Sequence, residues 1–186
     1  MKIYFVTGNE GKFEEAKKKF EPIDIELIQK DIGYPEVQAG KLQDVASFGI
    51  NYLKKRLEKP FMLEDAGLFI KNLKGFPGVY SAYVYYTIGL NGILNLMKNK
   101  SKQDRKATFM SVVAFYNPMN KEKTFFEGKC RGFISTEKKG KKGFGYDPIF
   151  IPTDQEDTFA LMETQEKNRY SHRGKALGKL YHFLKK

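Results

Sequence analysis

Lys167-Asn168-Arg169-Tyr170-Ser171-His172-Arg173-Gly174 gathers three cations and one of the chain's two histidines ahead of an apolar-periodic segment. A helix N-terminus carries unpaired N–H groups and the positive end of the dipole, so it attracts anions. Cations in that first turn oppose the dipole unless an anion sits there. The block therefore predicts a negatively charged partner. Thr7-Gly8-Asn9-Glu10-Gly11-Lys12 stands at another strand-to-helix turn, where backbone N–H groups and a lysine suit phosphate. It is not a Walker A loop, because Gly8 and Gly11 are too close and Phe13 follows Lys12. Taken alone, an ordinary turn capped by Asn9 explains it at least as well.

Glu36 follows Tyr34-Pro35, and Glu64-Asp65 reads as the acidic end of a strand that begins at Phe61. Mg²⁺ prefers one or two carboxylates together with phosphate oxygens and waters. Glu36, Glu64 and Asp65 supply such a set if the fold brings them together; a solvated turn is the simpler reading of Glu64-Asp65 alone. Gly143-Phe144-Gly145-Tyr146-Asp147-Pro148 puts two aromatics and an acid on a tight turn. It departs from the dinucleotide fingerprint, since Pro148 stands where the third glycine belongs. Phe144 and Tyr146 suit a flat base, or they pack inward. His172 lacks the spacing of a zinc site, and the sole cysteine, Cys130, reads as a packing residue.

These residues need a frame to bring them together. Residues 2–7 read as a buried strand, and Phe13, Ala16 and Phe20 mark a helix after it. A strand is predicted over 23–28. A long helical stripe runs from Leu42 to Leu57, and a strand over 61–64 has a short continuation over 68–70. A helix over 88–97, two long strands over 107–116 and 123–134, and a C-terminal helix complete the reading. Strands alternating with helices, then a long hairpin, predict a mixed α/β sheet.

With 186 residues and 41% hydrophobic content the chain can bury a sizeable core. Thirty-three Lys and Arg against 22 Asp and Glu give a net charge of +11, which favours polyanionic partners or simply a lysine-rich surface. Lys138–Gly143 reads as a mobile basic loop. No transmembrane run or secretory signal is evident, so a cytoplasmic protein without a membrane partner is expected.

The order of these motifs is more specific than any one of them. Thr7-Gly8-Asn9…Lys12, Tyr34-Pro35-Glu36, Glu64-Asp65-Ala66-Gly67-Leu68, Gly75-Phe76-Pro77-Gly78-Val79-Tyr80-Ser81, Gly143–Pro148, Glu166-Lys167-Asn168 and Ser171-His172-Arg173 follow one another. Over residues 2–184 the chain resembles the inosine/xanthosine triphosphate pyrophosphatase family, the Ham1-like nucleotidases. The resemblance implies a single α/β domain over 1–186, two-lobed, with a long mixed central sheet flanked by helices and an active-site cleft between the lobes. It implies a homodimer that hydrolyses dITP, ITP and XTP to the monophosphate and pyrophosphate. The implied cofactor is Mg²⁺, at least one per subunit, with Mn²⁺ able to substitute.

By the same resemblance Thr7, Gly8, Asn9, Glu10, Gly11 and Lys12 cradle the triphosphate. Glu36 and Asp65 hold the metal, with Glu64 a further ligand considered, and Asp65 activates water. Phe144, Gly145, Tyr146 and Asp147 hold the base; Lys167, at the phosphate end, His172 and Arg173 complete the site. Ala66 stands where many members carry serine, so one hydroxyl contact is missing. Leu161 and Gly49 also depart from the common pattern. A basic nucleic-acid-binding module is the alternative of a different class. It leaves Glu36 and Glu64-Asp65 unexplained, so no stable nucleic-acid complex is expected. A pyrophosphatase with another base preference is the alternative within the class.

Overall fold

Strand β1 (Lys2–Val6) is apolar on both faces, and β2 (Glu26–Lys30) and β3 (Phe61–Ile70) flank it in parallel. Parallel neighbours need crossover connections. Helix α1 (Glu10–Phe20) links β1 to β2, and α2 (Leu42–Leu53) links β2 to β3. The computed structural model describes residues 1–23, 25–35 and 37–185. Among the described residues a seven-stranded mixed sheet runs in the order β2-β1-β3-β5-β6-β7, with β4 (Pro77–Gly78) paired to β3. Strands β5 (Lys106–Asn117), β6 (Glu122–Ile134) and β7 (Phe150–Pro152) are antiparallel to their neighbours. Helices α3 (Ser81–Thr87), α4 (Gly89–Leu96), α5 (Thr164–Tyr170) and α6 (His172–Leu184) complete the chain.

The apolar residues form three clusters. Ala176, Leu177 and Leu180 of α6 pack with Phe20 of α1 and with Phe5, Met62, Val113 and Phe126 of the sheet. On the opposite face Ala46, Ile50 and Leu53 of α2 cover Val6, Leu63 and Val112. Farther along the long strands, Leu68, Phe109 and Cys130 join Ile93, Phe150 and Phe159. On β3 the buried members of the first two clusters stop at Leu63 and those of the third begin at Leu68, with half-buried Phe69 packed against the α2 cluster. The stretch between them, Glu64–Gly67, is free to carry polar chemistry.

Several elements differ from the sequence expectations. Strand β3 is unbroken, since each of its residues from Phe61 to Ile70 pairs with β5. Glu64 and Asp65 therefore sit in mid-strand rather than at a strand end. The expected mobile loop at Lys138–Gly143 is tied down: Lys139 N–H donates to Pro148 O, Lys142 N–H to Ala160 O and Thr158 Oγ1 to Lys139 O. Helix α2 ends at Leu53 rather than Leu57, and the second strand starts at Glu26 rather than Ile23. Cys130 is buried, and burial pushes its thiol up to about 11, in keeping with a packing role.

Candidate active site

Strand β1 pairs with β3 only as far as Met62, and β4 joins that edge at Leu68. Among the described residues no strand covers the edge between them. A cleft of about 1050 Å³ opens there, lined by Thr7, Gly8, Asn9 and Lys12 on one side and by Phe144–Asp147, His172 and Arg173 on another. Glu64, Asp65 and Ala66 form its floor. Tyr34, Val37 and Gln38 line it too, whereas Glu36 lies outside the described residues.

The turn after β1 is shaped by its own side chains. Asn9 caps α1, its Oδ1 accepting from Lys12 N–H at 2.9 Å, while Thr7 Oγ1 accepts from Asn9 N–H at 3.1 Å. The remaining first-turn N–H groups have no acceptor inside the helix, which suits an anion. Lys12 Nζ reaches the open edge of β3 and donates to Glu64 O at 3.1 Å. Glu10 is exposed and outside the cleft lining, where an acid in the first turn complements the helix dipole. Gly11 seats the ring of Phe144, since a Cβ there would overlap it.

Strand alternation sends Glu64 and Asp65 to opposite faces. Asp65 shares the face of Leu63, against α2. Glu64 shares the face of Met62, against α1 and α6, and its side chain is fully buried. Arg173 Nε donates to both Glu64 oxygens at 2.9 Å, Ser111 Oγ donates to Oε1 at 2.6 Å, and Lys12 Nζ lies 3.3 Å from Oε2. Burial raises the Glu64 carboxyl, but Arg173, Lys12 and the hydrogen bonds outweigh it and hold the group far below the usual carboxylate range.

The network continues inward. Arg173 Nη1 donates to Glu15 Oε2 at 2.7 Å, and Lys167 Nζ donates to Glu15 Oε1 at 2.6 Å and to Asp147 Oδ2 at 2.5 Å. Asp147 also accepts from Phe144 N–H at 2.8 Å. Carboxylates and cations thus alternate from Asp147 through Lys167, Glu15, Arg173 and Glu64 to Lys12. Burial raises the Glu15 carboxyl, and Arg173 and Lys167 bring it below its ordinary value. Asp147 moves the other way despite its contact with Lys167, because burial and the nearby Glu15 charge prevail. Burial also lowers Arg173, but Glu64 and Glu15 leave it raised and firmly charged.

These shifts set an acid limit on stability. A carboxyl whose value is depressed in the folded state contributes stability that is present above its unfolded value and lost as the pH falls towards the folded one. Glu64 and Glu15 both start from an ordinary 4.5. Stability is expected to hold down to about pH 4.5 and fall below it, with Asp147 offsetting part of the loss. Urea midpoints at pH 7, 5 and 3 check this; equal midpoints at pH 5 and 3 would remove the network from the stability account.

Several expected roles look different in place. Lys167, expected at the phosphate end, lies under the turn at Phe144–Asp147, with its ammonium 4.9 Å from the Phe144 ring centre. Tyr146 is buried, and its hydroxyl donates to Ser81 O at 2.8 Å, so it anchors that loop to α3. Gly143 and Gly145 take φ of 70° and 59°, a region that favours glycine, and so turn Phe144 towards the cleft. His172 stacks on Phe109 with ring centres 4.5 Å apart. Burial first, then Arg173, lowers it well below 6.5, so it is a neutral imidazole at pH 7. Among the described residues its Nδ1 has no hydrogen-bond partner. Gly128 of β6 permits this burial, since a Cβ there would overlap His172 O at the start of α6.

Glu15 and Ser111 belong to this constellation and were not anticipated. Glu15 is one acid among the charges of α1, and its partners lie more than 150 residues away. No local signal marks either residue. Among the described residues no group of three or more His, Cys, Asp or Glu converges as a metal cage. A floor with a half-buried Asp65 suits a hard cation that takes few protein oxygens and completes its shell from phosphate and water, as Mg²⁺ does. Glu64 is already committed to Arg173, Ser111 and Lys12 on the opposite face.

A mixed α/β sheet with a helix N-terminus, a carboxylate and an arginine-backed aromatic loop around one cleft defines a protein built to receive a polyanion with a flat group at one end. The sequence model of the Ham1 family matches residues 3–183, and the chain belongs to that family. It is 51% identical over 185 residues to a dITP/XTP pyrophosphatase of Thermococcus kodakarensis, covering 100% of this chain and 98% of that protein. It is 54% identical over 185 residues to a dITP/XTP pyrophosphatase of Pyrococcus horikoshii, covering 100% and 97%. Among solved structures, the Staphylococcus aureus Ham1 protein superposes with a TM-score of 0.83 at 30% identity, covering 100% of this chain and 98% of that one.

Proposed function

We propose that this protein hydrolyses dITP, ITP, XTP and dXTP to the monophosphate and pyrophosphate, removing non-canonical purines from the nucleotide pool. The observation that carries the reading is one cleft on the open edge of β3. It holds an anion-binding helix terminus at Thr7–Lys12, an arginine-backed base loop at Phe144–Asp147, and Asp65 on the open strand edge between them. The full-length likeness to two dITP/XTP pyrophosphatases supports the same activity.

In this reading the triphosphate lies against the turn after β1, with Lys12 and first-turn N–H groups offsetting charge that grows in the transition state. Asp65 takes a proton from a water that forms a bond to the α-phosphorus, and the bond to the β-phosphate oxygen breaks to release pyrophosphate. Asp65 and Glu36 would hold Mg²⁺, which supplies Lewis-acid stabilisation of the phosphate oxygens. Arg173 is clamped by Glu64 and Glu15 on Nε and Nη1, which leaves other N–H groups of its five for an acceptor. A 6-oxo purine accepts from them, while the 6-amino group of adenine leaves them unpaired. Such a polar mismatch discriminates by up to about 10⁴-fold.

The reading extends to a cytoplasmic homodimer; among the described residues no helix is long and apolar enough to cross a membrane. Pyrophosphate release across a panel of ITP, XTP, dITP, GTP, ATP and pyrimidine triphosphates, with and without Mg²⁺, tests it. Turnover of the oxo-purines that needs the metal is expected. Absence of pyrophosphate from every nucleotide would sink the enzyme reading.

A further inference from the structure

Ser111 on β5 is 1% exposed, so its hydroxyl reaches no ligand in the cleft. It faces Ala66 in the β3–β5 register, and directly opposed residues share a face of the sheet. Glu64, two residues before Ala66, lies on that face too, and Ser111 meets it on the diagonal at 2.6 Å. Ala66 brings no hydroxyl of its own. Of the three side chains that hold Glu64, Lys12 is the one that borders the phosphate turn, with its side chain 20% exposed against 3% for Arg173. A polyanion bound at Thr7–Lys12 competes with Glu64 for that ammonium. Ser111 and Arg173, both buried, then remain to hold the carboxylate.

We propose that Ser111 is a positioning residue for base recognition: by holding Glu64 Oε1 it keeps Glu64 against Arg173 Nε, so that the unclamped N–H groups of Arg173 keep facing the cleft when a nucleotide engages Lys12. The inference rests on the nucleotide reading above and adds to it the residue that keeps the base end in order while the phosphate end is loaded. Without the Ser111 hydroxyl, a displaced Lys12 leaves Glu64 tied at one edge only, and the guanidinium gains freedom to turn.

The test is binding of inosine monophosphate, the proposed product, and of adenosine monophosphate, each by calorimetry without divalent metal. Ser111→Ala is expected to weaken inosine monophosphate about tenfold, the scale of one hydrogen bond to a charged group, and to leave adenosine monophosphate nearly unaffected. In turnover the loss appears in KM for dITP more than in kcat. Ala66→Ser in the Ser111→Ala background returns a hydroxyl from the opposite strand and is expected to restore much of the preference. A purely structural serine would lower the melting temperature and leave the ratio alone. If Ser111→Ala does not fold, Ser111→Cys, with its weaker donor, gives the same reading. A preference that survives the substitution overturns this inference alone. No preference in the unsubstituted protein overturns the nucleotide reading and this inference with it.

Discussion

Asp65→Asn is expected to lower dITP turnover by roughly 10²–10⁴-fold, the contribution of a positioned general base. The fold should survive. Asparagine keeps the shape of the side chain, Asp65 is only half-buried, and its backbone pairing with Val112 does not involve the carboxylate. What is lost is the negative charge and the basic oxygen on a stretch of β3 whose edge, among the described residues, no strand covers. The check combines steady-state turnover with thermal melting. A melting temperature near that of the parent with turnover nearly gone supports the role; near-parent turnover removes Asp65 from catalysis.

Arg173→Ala carries the second large effect, and it acts on stability and selectivity together. It strands Glu64 and Glu15, both buried, without their shared cation. Removing one partner of a buried ion pair costs about 3–5 kcal/mol, because the remaining charge is left uncompensated. Urea denaturation measures that loss. On the proposed reading the same change removes donors to a 6-oxo group, so the ratio of kcat/KM for ITP over ATP should collapse towards unity. Arg173→Lys separates the two outcomes: it retains the charge but not the rigid fork, and should recover more stability than selectivity. An ITP-to-ATP ratio unchanged in both variants would refute the assignment of base reading to Arg173.

The two variants probe opposite faces of one strand, and that division was not legible in the chain. Glu64 and Asp65 are adjacent letters and read naturally as one acidic pair. Alternation along β3 turns Asp65 towards α2 and Glu64 towards α1 and α6, so Glu64 holds cations while Asp65 stands on the other face at the open edge. The strand looked interrupted because polar residues broke its apolar pattern at Glu64–Gly67. The ladder with β5 carries it through without a gap.

The basic block at Lys167–Gly174 also changed meaning. Lys167 and Arg169 fall in the last turn of α5, where cations complement the dipole, and of the block's cations only Arg173 stands in the first turn of α6. The cations do find anions, but the anions are the chain's own: Lys167 meets Glu15 and Asp147, and Arg173 meets Glu15 and Glu64. Arg173, which lines the cleft, has N–H groups beyond those given to Glu64 and Glu15, whereas Lys167 is spent on Glu15 and Asp147. Arginine's five donors allow both tasks at once; lysine's three, with Asp147 and Glu15 already served, leave less to offer.

The sequence by itself determined the fold class, the family and the ends of the cleft. Apolar periodicity dictates which segments are strands and helices, and glycine and capping residues dictate where they turn, all through contacts a few residues apart. Tertiary structure alone decided that Glu64 faces the buried cations while Asp65 faces the other side of β3, that Glu15 and Ser111 join the charge network, and that Lys167 sits under the turn at Phe144–Asp147. The reason is distance along the chain. The bonds from Lys167 and Arg173 to Glu15 span 152 and 158 residues and that from Arg173 to Glu64 spans 109, so no local pattern encodes them. They exist because the sheet and α6 bring those charges into one water-poor interior, where each must find its opposite.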